Sequence, residues 1–343
     1  MRKLKNVLYI TTPEAYLARE DEDLLVCLPE DRKVRIPIIN LASVVQMGYP
    51  GASSAALALC MEHGVCVSFL QPSGRFLARV EGAQSGSVLL RKCQYRLSED
   101  RIASAKMASQ FVSAKVLNCR TVLRRGVRDH AEKLEKDTVT DAGQTLLRLA
   151  KTAALQVDGG QLRGVEGEAA RHYFGVFDEL ILENKQEFSM NGRNRRPPLD
   201  RINCLLSFCY MLLEHDCRGA LESVGLDPQV GFLHRDRPGR ASLALDLMEE
   251  LRPVMADRNA LTLINRKQIT PKDFVIQADG AVLLTSDGKK TVIDNWQKRK
   301  QEELMHPYLE EKIQFGLLPF AQAQLLAGAI RTQSSDYPAF VWR

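Results

Sequence analysis

Short apolar runs separated by turn-forming residues fill the first 80 positions. The runs lie at 7–11, 16–19, 24–28, 34–38, 43–46, 65–70 and 76–80, with turn formers such as Glu20-Asp21-Glu22-Asp23 between them. Evenly spaced short strands of this kind predict a small β-sandwich. An Ala-rich stretch at 53–62 ends at His63-Gly64, which predicts one helix with a glycine stop inside this region.

Beyond Gly82 the apolar positions follow the period of helices. Ser98-Glu99-Asp100 predicts a helix start, and helices are expected at about 100–137, 140–157, 165–184, 199–216, 219–223, 240–252, 296–313 and 318–330. Two apolar runs joined through Asp279-Gly280 predict a β-hairpin near 274–284. We therefore expect an α+β protein, with a β-sandwich domain at 1–95 and a mainly α-helical domain at 96–343.

Composition narrows the class of protein. Of 343 residues 45% are apolar, enough to form a core, so intrinsic disorder is excluded. The longest apolar run, 205–213, is about half of the ~20 residues that a membrane span needs, and no signal-peptide core follows the basic N-terminus. We expect a cytoplasmic protein. Eight cysteines without a Cys-x-x-Cys pair favour buried, reduced thiols over disulfides or a metal cluster.

The net charge of +5 is too small to indicate a nucleic-acid partner by itself. Its distribution is uneven, because residues 101–150 carry +5 while 1–100 carry +1 and 151–343 carry −1. Arg120, Arg124 and Arg128 recur every four residues and share one helix face. That face is either solvated and paired with acidic neighbours or a stripe that contacts phosphates.

Carboxylates and one histidine are the candidates for chemistry, since dinucleotide, P-loop, zincin and serine-hydrolase motifs do not occur. Glu166 shares a helix face with Ala170 and Tyr173, and a carboxylate on a packed face must be paired, protonated or metal-bound. A buried pair between Glu166 and an arginine is the structural alternative.

His234 follows an apolar segment and precedes a basic Pro-Gly turn, which leads into a helix predicted to be capped by Ser242. On that helix Asp246 and Glu249 share a face. A structural histidine and a solvated acidic face are the ordinary alternatives. Taken together with Glu166, these groups form a candidate site for Mg²⁺ or Mn²⁺ rather than Zn²⁺, because oxygen ligands dominate.

A basic loop at 191–196 ends at two prolines and precedes a helix with Asp200 as a candidate cap. Its arginines, including Arg193 and Arg195, indicate a polyanionic substrate, unless the loop is simply solvated.

Three motifs together carry a resemblance: VEGEAARHYF at 165–174, NRRPPLDRINCLLS at 194–207 and GFLHRDRPGRASLALDLME at 231–249. In this order and spacing they resemble the CRISPR-associated protein 1 family, the DNA endonuclease and integrase of CRISPR adaptation in antiviral defence, and most closely its type I-C branch. The resemblance implies a homodimer, with 1–95 as the dimerisation domain and 96–343 as the metal-dependent catalytic domain. It also implies assembly with CRISPR-associated protein 2 and with an iron-sulfur nuclease.

The resemblance also implies site residues. Glu166, His234 and Glu249 match the family's metal ligands for Mg²⁺ or Mn²⁺, and Asp246 matches an auxiliary acidic position. Arg237 and Arg240, which flank the turn after His234, are expected to contact the phosphates of double-stranded and branched DNA, together with Arg193 and Arg195.

Other classes stay open on the sequence alone. A metal nuclease that only hydrolyses structured DNA would need the same ligands, with water as the nucleophile. A DNA-binding scaffold would use the three ligand positions structurally. A zinc hydrolase fits less well, because one His with two carboxylates is a poor match to the usual zinc ligand sets.

Overall fold

The computed structural model describes residues 4–72, 76–82, 88–190, 192–194, 197–334 and 336–342. The strands are β1 Asn6–Ile10, β2 Tyr16–Glu20, β3 Asp23–Cys27, β4 Lys33–Pro37, β5 Leu41–Met47, β6 Cys66–Leu70, β7 Phe76–Val80, β8 Phe274–Ile276, β9 Val282–Leu284, β10 Glu303–Met305 and β11 Lys312–Gln314. The helices are α1 Ser54–Glu62, α2 Val88–Glu99, α3 Arg101–His130, α4 Lys136–Ala154, α5 Gly159–Gly175, α6 Arg201–Ser223, α7 Ser242–Arg252, α8 Arg258–Asn265, α9 Ser286–Gln301 and α10 Leu318–Arg331. The α+β fold class is confirmed.

The chain divides into two compact units. The first contains Met1–Ser85, Asp273–Val275 and Leu283–Gln297, and the second contains Gly86–Lys272, Ile276–Val282 and Lys298–Arg343. The first unit holds two sheets with strand orders β1-β5-β6-β7 and β2-β3-β4. Apolar side chains from both sheets and from α1 form one core, including Leu17, Leu24, Val44 and Leu59.

The strands of the first unit begin and end within two residues of their predicted positions. The pairing of β1, β5 and β6 is parallel, whereas β7 and the β2-β3-β4 sheet pair antiparallel. Parallel neighbours need a crossover connection, and helix α1 provides it between β5 and β6.

The second unit is built on α3, a helix of 30 residues that contacts α4, α5 and α7. Asp100 caps α3 by accepting hydrogen bonds from the amides of Ile102 and Ala103, at 2.9 and 3.0 Å. Helix α2, which ends one residue before this cap, was not predicted. Because α3 crosses the unit at about 1.5 Å per residue, it can place side chains against several helices at once.

Two further predictions need correction. The helices expected at 199–216 and 219–223 are one helix, α6, and the helix expected at 296–313 ends at Gln301. The hairpin β10–β11 follows it, with Pro307 in the connection. Proline lacks the amide proton that a helix interior requires, so a helix that continues through 307 is disfavoured.

Strands β8 and β9 lie where the Asp279-Gly280 turn predicts them, and Gly280 adopts a φ of +82°. The eight cysteines all lie among the described residues, where none forms a disulfide, and five of them are buried. Among the described residues, no helix combines the length and the apolar composition needed to cross a membrane.

Candidate catalytic site

Helices α3, α5 and α7 bring two of the predicted carboxylates against one lysine. The ammonium of Lys115 on α3 contacts Oε1 of Glu166 on α5. It also lies 2.6 Å from Oε2 of Glu249 on α7. Glu166 is therefore paired, as expected for a carboxylate on a packed face, but with a lysine rather than an arginine.

Glu249 is the most deeply buried member of this group, with 3% of its side chain exposed. Nη1 of Arg252, one helical turn later, lies 3.0 Å from its Oε1, and Nε2 of His234 lies 4.0 Å from the same oxygen. Burial by itself raises the pKa of Glu249, but Arg252, Lys115 and His234 outweigh it and lower that pKa below its usual range. Glu249 is thus an anion at neutral pH.

Asp246 is fully buried and fixes the segment that carries His234. Its Oδ2 accepts hydrogen bonds from the amides of Phe232 and Leu233, at 2.6 and 3.0 Å. Its Oδ1 accepts from the amide of His234 at 3.0 Å and lies 2.7 Å from Nδ1 of the same residue. Because Nδ1 faces Asp246, the other ring nitrogen, Nε2, is the one directed at Glu249, 4.0 Å from its Oε1.

The backbone that leads into His234 packs closely against α7, and this packing requires glycine at position 231. A Cβ at this position would lie 2.7 Å from Oδ2 of Asp246 and 2.9 Å from Ser242, closer than real contacts allow. The predicted Ser242 cap is wrong: Ser242 is the first residue of α7, and its hydroxyl donates to the carbonyl of Arg235 at 3.2 Å. The carbonyl of Pro228 instead accepts from the first free amides of α7, because the preceding loop folds back over the helix end.

The described side chains include no group of three or more His, Cys, Asp and Glu arranged to hold a metal ion. The ammonium of Lys115 contacts both Glu166 and Glu249, so a cation of the chain itself already lies between these two carboxylates. Within the described structure, Oε2 of Glu249 is buried and faces the ammonium of Lys115 at 2.6 Å. An oxygen in this state can serve a cation as ligand.

The candidate DNA-contacting arginines fall into different settings. Arg237 is exposed on the turn after His234, and Arg240 is half-buried on the same turn. Arg193 faces α6, where it donates to Oδ1 of Asn203 at 2.6 Å and to the hydroxyl of Ser207 at 3.3 Å. Arg195 lies outside the described residues.

The arginines that share one face of α3, Arg120, Arg124 and Arg128, become exposed toward the C-terminal end of the helix. Arg128 donates to both carboxylate oxygens of Asp129, at 2.6 and 3.1 Å. Arg124 is exposed, while partial burial and the charge of Arg124 lower the pKa of Arg120.

Sequence reasoning missed Lys115 and a buried group around Asp257. The hydroxyls of Tyr210 and Tyr173 donate to Asp257, at 2.7 and 3.0 Å, and burial raises the pKa of this carboxyl to about 6. Asp257 ends a π-helical turn, Pro253–Asp257, that directly follows α7. A lysine inside the apolar run 111–116 was the available signal for Lys115.

Comparison with known proteins gives the family. Residues 8–298 match the model of the family described as CRISPR associated protein Cas1. The chain is 47% identical to CRISPR-associated endonuclease Cas1 1 of Chlorobaculum tepidum and 49% identical to CRISPR-associated endonuclease Cas1 2 of Rhodospirillum rubrum, with 100% of each chain covered. It is 35% identical to a CRISPR-associated exonuclease Cas4/endonuclease Cas1 fusion of Geobacter sulfurreducens, covering 98% of this chain and 60% of the fusion.

Solved structures share the fold. A casposase bound to integration product superposes with a TM-score of 0.82 at 23% identity, covering 98% of this chain and 94% of the casposase chain. A Cas6-RT-Cas1–Cas2 complex gives a TM-score of 0.82 at 24% identity, covering 100% of this chain and 36% of the larger one. Because the family model and full-length relatives agree, the chain belongs to the Cas1 family of CRISPR-associated endonucleases, the integrases of CRISPR adaptation.

Proposed function

We propose that this chain performs spacer integration with Glu166, His234 and Glu249 as the ligands of a divalent ion. The observation that supports this most is that Glu166 and Glu249, from separate motifs, contact one buried ammonium, while His234 directs Nε2 toward Glu249. Two carboxylates that already hold one cation between them supply oxygen ligands of the kind that a divalent ion binds.

The donor set of two carboxylates and one imidazole fits Mg²⁺ or Mn²⁺. The buried Oε2 of Glu249, which already faces a cation in the Lys115 ammonium at 2.6 Å, supports the fit. When bound, such an ion lowers the pKa of a hydroxyl and neutralises charge on the phosphate under attack. Asp246 contributes by holding the imidazole with Nε2 toward Glu249.

The reaction is a transesterification at phosphorus. The 3′-oxygen of the captured DNA attacks a phosphate of the repeat array, a new bond from that oxygen to phosphorus forms, and the phosphorus–oxygen bond of the repeat strand breaks. The attacking hydroxyl loses its proton, and the departing 3′-oxygen gains one. The chain supplies orientation and charge rather than a nucleophile, which agrees with a site made of carboxylates, an imidazole and two cations.

The test is strand transfer of a DNA duplex with 3′-hydroxyl ends into a repeat-bearing plasmid in Mn²⁺. Glu166→Gln and His234→Ala are expected to lower the rate by about a hundredfold or more, because each removes a ligand. Glu168→Gln is the matched control, since Glu168 lies on the same helix and faces His172 at 3.9 Å. Wild-type rates in purified Glu166→Gln protein would contradict the assignment.

A second arm separates integration from hydrolysis. Duplexes that end in 3′-deoxy sugars lack the attacking hydroxyl, so an integrase should form no joined product from them. A nuclease that uses water would cut the plasmid equally well with either duplex.

We also propose a homodimer that assembles with Cas2 and with an iron-sulfur nuclease of the Cas4 type, acting in the cytoplasm. Support comes from the Cas1–Cas2 complex and the Cas4/Cas1 fusion described above. Sedimentation of the chain alone and with Cas2 tests this arrangement. A species of 38.5 kDa in both samples would contradict it.

A further inference from the structure

Lys115 is a buried cation at the contact between two carboxylates. It lies on α3 between the buried residues Ala114 and Val116, and it is 8% exposed. Its ammonium contacts Oε1 of Glu166 and lies 2.6 Å from Oε2 of Glu249. A lysine with this little exposure is rare unless it is paired, so the two carboxylates account for the burial of Lys115.

The surrounding charges keep Lys115 protonated. Burial opposes the charge, but Glu249 and Glu166 outweigh it and raise the pKa of Lys115 above its ordinary value. Arg252 reaches Glu249, whereas the charge of Glu166 is balanced by Lys115. Without the ammonium, Glu166 and Glu249 would repel each other, because both would face the space that it fills.

We propose that Lys115 is a positioning residue whose ammonium holds Glu166 and Glu249 together and competes with the divalent ion for their oxygens. The inference rests on the proposed function, since it assigns Lys115 a role toward that ion. The ammonium occupies Oε1 of Glu166 and Oε2 of Glu249, so an ion that engages these two oxygens can do so only when the ammonium withdraws. The lysine therefore preserves the site before metal binding and weakens the affinity for the metal.

Calorimetric titration of the full chain with Mn²⁺, without DNA, tests the competition directly. Lys115→Met keeps a similar unbranched stem and removes the charge, so the Kd for Mn²⁺ is expected to fall by about tenfold. Lys115→Arg keeps the charge and should bind Mn²⁺ much as the wild type does. Lys300→Met is the matched control, because Lys300 is also buried and pairs with Asp216 at 2.8 Å.

Thermal unfolding gives a second readout that does not depend on activity. In EDTA, Lys115→Met should melt below the wild type, and adding Glu166→Gln should recover part of the loss by removing the repulsion. Mn²⁺ should raise the melting temperature more for Lys115→Met than for the wild type, because the ion then replaces the missing charge.

The outcomes separate this inference from the function on which it rests. If the wild type binds Mn²⁺ but Lys115→Met binds it equally or more weakly, the competition is wrong. If Lys115→Met stays unfolded in Mn²⁺ while Lys300→Met folds, the ion does not replace the ammonium, and the inference is again wrong. A wild type that neither binds Mn²⁺ nor transfers strands would instead overturn the proposed function.

Discussion

Asp246 shows how one buried side chain can organise the residues of the proposed site. It accepts from three successive backbone amides and contacts the imidazole of His234, so both of its oxygens are fully engaged. A carboxylate that receives several amide donors fixes both the backbone and the ring that it orients. In the proposed site, Asp246 therefore acts through His234.

We expect Asp246→Asn to lower strand transfer and Mn²⁺ affinity by about 10- to 100-fold. The asparagine amide would turn two donors toward backbone amides that also donate, which would displace the His234 segment. Strand-transfer rates and Mn²⁺ calorimetry measure the effect. Asp236→Asn, on the exposed turn beyond His234, is the control, and an equal effect of both substitutions would contradict the positioning role.

Site residues could be predicted from the sequence where they lie together in a motif. Glu166, His234 and Glu249 lie in long motifs. The structure brings Glu166 and Glu249 to one ammonium, and Nε2 of His234 to 4.0 Å from Oε1 of Glu249. Lys115 belongs to no such motif, and a single lysine in a 30-residue helix gives no indication of which helices will cover it. Its partner can be identified only from tertiary packing.

At the scale of elements, the segment 336–342 is bound to α3 and α7 through buried polar groups. Nδ2 of Asn118 donates to the carbonyls of Glu250 and Phe340, at 2.7 and 2.8 Å. Its Oδ1 accepts from the amide of Trp342 at 2.7 Å. One buried amide thus joins three segments of the second unit.

Asn118→Ala should lower the free energy of unfolding by about 2–3 kcal/mol, because it leaves buried backbone groups without partners. Urea unfolding measures the change. Thr121→Val is a milder control on the same helix, since Thr121 makes one longer hydrogen bond, 3.3 Å, to Trp342. A loss for Asn118→Ala no larger than for the control would contradict the anchoring role.

The neighbouring Glu250 makes stability depend on pH. Burial raises the pKa of this carboxyl from 4.5 to about 7, although Tyr337, Gln322 and Phe340 donate to it. The folded chain therefore holds a proton more tightly than the unfolded chain, and stability should fall as pH rises from about 5 through 7.

A glutamine at position 250 cannot ionise. The unfolding free energy of Glu250→Gln should therefore change less than that of the wild type between about pH 5 and pH 8. Urea unfolding of both proteins at several pH values measures the difference. Asp257, whose pKa is raised to about 6, acts in the same direction in both proteins and cancels from the comparison. Parallel pH profiles would exclude Glu250 as the source.

The elements themselves were largely predictable from apolar spacing and turn residues. Strands β1 to β7 and helices α1, α7 and α10 lie close to their expected positions. The predicted helices were wrong where the apolar pattern does not show at which residue a helix begins or ends. The spacing around Pro307 also suits a helix, and α8 follows a π-helical turn that breaks the usual helical period.

At the scale of the whole molecule, the modest net charge of +5 conceals separate regions of charge. The α3 region is basic, and the remaining helical part contains the carboxylates at the site. DNA binding should depend on salt, because each protein–phosphate contact releases counterions.

Arg237→Ala and Arg240→Ala should each reduce the slope of log Kd against log salt by about 0.9, if each residue contacts one phosphate. Binding of branched DNA at several salt concentrations measures the slopes. Arg32→Ala, an exposed arginine of the first unit, is the control. Unchanged slopes for Arg237 and Arg240 would show that neither contacts a phosphate.

The contact of Asn118 with residues 336–342 also determines when α3 can complete its packing during synthesis. Asn118 and Phe340 are 222 positions apart, so a ribosome that adds about 5–20 residues per second needs roughly 10–45 seconds to make the second after the first. During that interval α3 exists without the segment that satisfies its buried amide. A nascent chain should therefore be most sensitive to proteases and chaperones while it waits for residues 336–342.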